Sequence, residues 1–86
     1  MAAEPEKPDE KGQIEGRYAN YFEVGHNAFE FVLDFGQFYS GSGEARIHTR
    51  IITGPSYLKP MLALMTEALA RYEKEYGTVN SRDPEK

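Results

Sequence analysis

Residues 44 to 52 read E-A-R-I-H-T-R-I-I, and this stretch constrains the fold more than any other. It alternates with a period of two, the signature of a strand with one face in and one face out. Ala45, Ile47, Thr49 and Ile51 form the expected core face. Arg46, His48, Arg50 and Ile52 form the other, so three basic side chains are expected in one stripe, roughly 7 Å apart along the strand.

Upstream, Tyr18 to Val24 is aromatic and rich in strand formers. Gly25-His26-Asn27 signals a turn, and Ala28 to Phe35 alternates again, with Phe29, Phe31, Leu33 and Phe35 on one side. Together these predict a β-hairpin. A tight turn with Gly25 at its first central position pairs Val24 with Asn27 and sets Tyr21 opposite Glu30, avoiding a Glu23–Glu30 clash. Gly36 to Gly43 reads as a flexible connection, into which Phe38 and Tyr39 can extend the strand. The third strand, Glu44 to Thr53, then returns antiparallel. Placing Leu33 opposite Ile47 would set Asp34 against Arg46 and Glu30 against Arg50, both opposite-charge pairs.

After Thr53-Gly54 a helix is expected to open on Pro55, with Thr53 or Gly54 as N-cap. Pro60 lacks an N–H and predicts a kink or an irregular first turn. From Met61 to Tyr76 the helical period is plain, and Gly77 follows as the stop. Leu58, Met61, Leu62, Met65, Leu69, Tyr72 and Tyr76 recur on one side, and Leu64 and Ala68 widen the apolar arc to roughly 160°. One thin sheet can cover only part of such an arc.

Size sharpens that problem. The ends, residues 1–16 and 78–86, are polar and charged and read as tails, the first of them disordered. One domain over residues 17–77 remains. A unit of about 60 residues buries only about 60% of its unfolded surface and needs a disulfide, a metal or a second subunit. The chain has no cysteine, and its two histidines, His26 and His48, lack metal-site spacing. No nucleophile motif and no phosphate-binding glycine loop is present, so neither a catalytic nor a cofactor site is expected. The net charge of −4 argues against a nucleic-acid-coating role, and no apolar run is long enough to span a bilayer. Cytoplasmic location is the default expectation.

The runs R-Y-A-N-Y-F-E-V-G-H-N-A-F-E-F-V-L-D-F-G-Q and A-R-I-H-T-R-I-I-T-G-P, with a helix ending Y-E-K-E-Y-G, resemble a small bacterial and archaeal family. That family is known only as a domain of unknown function. The resemblance spans about Ile14 to Gly77, and G-H-N-A-F-E-F and A-R-I-H-T-R-I are its most specific parts. It implies a strand-rich unit with a C-terminal helix and carries over no site residue. Pro60 departs from the family's helix.

The expectation is an α+β domain: a three-stranded antiparallel meander, then one long C-terminal helix packed across its apolar face. Its partner is expected to be itself, as a homodimer or higher oligomer, with a further protein partner open. The interface candidates are Tyr21, Arg46, His48 and Arg50 on the sheet and Met61, Leu64 and Ala68 on the helix. The expected role is a non-enzymatic interaction or assembly module. The rival is a nucleic-acid-binding protein using Arg46, His48 and Arg50.

Overall fold

A computed structural model describes residues 14–80, so the expectations for residues 1–13 and 81–86 fall outside the described residues. The chain forms β1 (Tyr21–His26), β2 (Phe31–Tyr39), β3 (Glu44–Thr53) and α1 (Pro55–Tyr76). The strands make one antiparallel sheet in the order β1-β2-β3, so the expected α+β meander with a C-terminal helix is what the chain adopts.

Both registers differ from the expectation. In the first hairpin Val24 lies opposite Leu33, and Gly25 sits inside the strand opposite Val32. The turn has moved to residues 27–30. Asn27 makes it: its Oδ1 accepts from the N–H of Phe29 (2.7 Å) and of Glu30 (2.8 Å), and its own N–H donates to the Glu30 carbonyl (3.0 Å). A side chain that satisfies two backbone donors outcompetes a tight glycine turn. Phe29 is therefore a loop-tip residue, 80% exposed, and not a member of the core face.

The second hairpin closes over Ser40 to Gly43, so β2 does extend through Phe38 and Tyr39. The Tyr39 carbonyl accepts from the N–H groups of Ser42 (3.2 Å) and Gly43 (2.8 Å), and Gly43 takes φ +73°, where glycine meets no Cβ penalty. This turn pairs Tyr39 with Glu44, Phe38 with Ala45 and Gln37 with Arg46. Continued unchanged, that odd register would set Leu33 beside Arg50 on the apolar side. A bulge prevents this. The register steps between Phe35 and Gly36, leaving one extra residue, His48, on β3. A one-residue slip moves every following side chain to the other face. Leu33 thus meets Ile51, and Asp34 meets Arg50.

Gly36 permits the bulge. A Cβ there would strike the Arg46 carbonyl oxygen and lie 2.8 Å from the Arg46 carbonyl carbon and 2.9 Å from the Ile47 Cα. Backbone atoms cannot swing aside, so only glycine fits. Asn20 carries β1's hydrogen bonding past this point: its N–H donates to the Gly36 carbonyl (3.0 Å), and its Oδ1 accepts from the Phe38 N–H (2.7 Å).

The helix runs through Pro60 unbroken from Pro55 to Tyr76, with Gly54 as its extended N-cap residue. Its first turn is tight, the Tyr57 N–H bonding to the Gly54 carbonyl at 3.1 Å. At the far end the Gly77 N–H caps the Glu73 carbonyl (2.9 Å). The packing differs from the expectation. α1 does not lie across its own sheet, and none of its residues is buried. Only Leu58, Met61 and Glu73 are even half-buried. Gly54 alone separates the last residue of β3 from the first of α1, so the helix must leave from the strand's end.

Candidate interaction site

Two rows of side chains cross the three strands next to each other, on opposite faces. The apolar row is Val24–Leu33–Ile51, flanked by Phe22–Phe35–Thr49 and His26–Phe31–Thr53. Phe22 meets Phe35 edge-on, with centroids 5.8 Å apart, and the His26 ring stacks at 5.2 Å on Phe31. His26 is thus an aromatic partner at the end of a strand, not the turn residue expected from the sequence. At the centre Leu33 is 8% exposed, and it is the one buried apolar side chain among the described residues. Its neighbours stay open to water: Phe22 is 58% exposed, Val24 64% and Ile51 47%.

The helix presents a second open surface. Leu62, Met65, Leu69, Tyr72 and Tyr76 are all exposed, and they continue from Leu58 in alternating steps of four and three. That spacing makes a single seam along a helix. Tyr72 and Tyr76 stack along it, centroids 4.9 Å apart. Of the candidates from the sequence, Leu64 and Ala68 are exposed on the flank of this seam, and Met61 is half-buried near its root.

The polar row is Glu23–Asp34–Arg50. Arg50 grips Asp34 with two parallel bonds, Nε to Oδ1 and Nη2 to Oδ2, both 2.8 Å. This bidentate geometry is the strong form of the pair. It holds the Asp34 carboxyl below its usual range against the opposing effect of its own desolvation, and it raises Arg50. Glu23 adds to the field that keeps Arg50 charged, and it accepts from the Tyr21 hydroxyl at 2.5 Å. Tyr21 therefore sits on this polar face, opposite Gly36. The Glu30–Arg50 pair expected from the sequence is not made, because Glu30 belongs to the turn.

The expected basic stripe does not exist as one surface. The bulge puts Arg46 and Arg50 on opposite faces. Arg50 serves Asp34. Arg46 lies opposite Gln37 and lines a shallow groove with Tyr39 and Glu44. His48, the extra residue, turns to the N-terminal segment: Nε2 donates to the Tyr18 carbonyl (2.9 Å), and Nδ1 accepts from the Thr49 hydroxyl (2.7 Å). Arg17 returns a bond to the His48 carbonyl (3.2 Å). Of the residues that set the registers, sequence reasoning missed Gly36 and Asn20, and it named Asn27 in the turn signal without its role as the acceptor that makes the turn. Asn27 carried a signal, an asparagine two residues before an aromatic at a turn; Gly36 and Asn20 carried none without the register.

Among the described residues there is no cluster of three or more potential metal ligands. No helix among them is long and apolar enough to cross a membrane. No curated protein and no solved structure matches the chain. One family model does, over residues 3–81, nearly the whole sequence and all of the sheet and helix just described. The chain therefore belongs to the family described as Protein of unknown function (DUF3467).

Proposed function

We propose that this chain is a small non-enzymatic interaction or assembly module that works in the cytoplasm as a homo-oligomer. The observation that carries the reading is the helix: a 22-residue element with an apolar arc along its length and no buried residue. Each Leu or Met fully buried contributes about 1.5–3 kcal/mol, which a domain with a single buried apolar side chain among the described residues needs. Burial against another copy supplies it. On the sheet, Arg50 is taken up by Asp34 and His48 by the Tyr18 carbonyl, so two of the three basic residues of β3 are already engaged within the chain.

Sedimentation equilibrium of the full chain tests this. A dimer or higher oligomer is expected at micromolar concentration, with an association constant that changes little between low and high salt. Leu69→Asp and Leu64→Asp should each shift it toward monomer. Stable, cooperatively folded single copies at high micromolar concentration would overturn the reading.

A further inference from the structure

The open surfaces come in two kinds, and neither can serve the other within one chain. The sheet exposes Phe22, Val24 and Ile51 around Leu33. The helix exposes Leu62, Met65, Leu69 and Tyr72. Between β3 and α1 stands only Gly54, extended at φ −84° and ψ 155°, and the helix leaves its own sheet uncovered. A sheet with one apolar face must be covered by a second layer. Two copies meeting helix to helix alone would leave both sheets wet. Two copies meeting sheet to sheet alone would leave both helices wet.

We infer that two copies exchange their helices: α1 of each lies on the Phe22–Val24–Leu33–Ile51 face of the other's sheet. This rests on the homo-oligomer reading above and names the surfaces through which it acts. The arrangement is isologous, each copy giving a helix and receiving one, so it closes at two and leaves no unpaired end.

The dimensions agree. The apolar rows run from Phe31 to Phe35 along β2, about 17 Å, and the seam from Leu62 to Tyr72 is also about 17 Å long. With a helix diameter of about 10 Å, each sheet contact has a footprint of about 170 Å². A copy takes part in two of them, about 340 Å², and the two 22-residue helices running past each other add up to about 330 Å², so a copy commits up to about 670 Å², near the about 800 Å² per partner of a stable, specific interface. The exchange also uses the width of the apolar arc. The Leu62–Met65–Leu69–Tyr72 seam fills the sheet contact, and the flank carrying Leu64 and Ala68 is left for the two helices where they pass each other.

The chain has no cysteine, so a single one can carry a spin label. Arg71→Cys places it on the helix beside the apolar arc, at an exposed residue. Labelled chain at natural isotope abundance is mixed, through a denaturation and refolding step, with unlabelled chain enriched in ¹⁵N. Only contacts between copies then broaden the observed amides. The exchange predicts loss of peak intensity at Phe22 to Val24, at Leu33 and at Ile51, restored when the label is reduced. Lys74→Cys gives a second vantage point should the first variant fail to fold. Broadening confined to α1 amides would overturn the exchange while leaving an oligomer, as would a sedimenting dimer without sheet broadening. No broadening in a chain that sediments as a monomer would overturn both readings.

Discussion

The two rows that cross the sheet side by side meet opposite fates. Glu23–Asp34–Arg50 is completed within one chain, and Val24–Leu33–Ile51 is not. Asp34 is 7% exposed, about as buried as Leu33, yet both its oxygens are answered by one guanidinium. The lesson concerns the two forces. A hydrogen bond or ion pair is local and directional, so one well-placed residue satisfies a buried carboxylate. Apolar burial scales with area, and a three-stranded sheet with a departing helix does not have enough of it.

The substitution with the largest expected effect strikes the device that sorts the rows. Gly36→Val forces a side chain into the Arg46 backbone, and a loss of about 3 kcal/mol is expected in urea unfolding, from overpacking at a point that cannot relax. If Gly36→Val unfolds like the parent, the bulge does not hold the rows apart. Leu33→Ala follows, at about 2–3 kcal/mol by the same measurement. Under the exchange this loss should be larger at concentrations above the dimer's dissociation constant than well below it, since Leu33 lies beneath the partner's helix. Asn27→Ala removes the acceptor of two turn N–H groups that water can reach in its place, and about 1 kcal/mol is expected.

The smallest change at neutral pH is expected for Asp34→Asn, which keeps the shape and one acceptor toward Arg50; the amide N–H faces the second guanidinium N–H, but the Arg50 side chain is 63% exposed and water can take that donor over. Its signature lies in the pH profile. The Asp34 carboxyl is held below its ordinary value of 3.8, so its contribution is fully present above that value and is lost as pH falls through the lower folded one. Acid titration by circular dichroism should show the parent losing stability below about pH 4 through this group, and Asp34→Asn lacking that component. Identical acid profiles would mean the polar row is decoration rather than a second anchor.

Much of this architecture is legible in the sequence. The period-two runs locate β2 and β3, the aromatic and β-branched residues from Tyr18 to Val24 locate β1, and the period-3.6 run locates the helix and the width of its apolar arc. Registers are harder, and the reasons are specific. Testing charges two strands at a time rejects a first hairpin with facing acids, yet Glu23 does lie opposite Asp34. Arg50, on the third strand, makes that juxtaposition tolerable. The stripe of Arg46, His48 and Arg50 assumed an uninterrupted alternation, which the extra residue at His48 breaks. Alternation in sequence reports two faces only as far as the next bulge. The expectation that α1 would cover its own sheet failed for a different reason: a single residue at Gly54 leaves no length to fold back.

The bulge has one more effect, at the sheet's outer border. β3 is an outermost strand, ten residues long, the kind of border onto which strays can zip and seed fibrils. At His48 the even spacing of donors and acceptors is interrupted, and the carbonyl there already holds the Arg17 guanidinium. An intruding strand would fall out of step midway along its length, so the residue that sorts the two faces also guards the chain against aggregation.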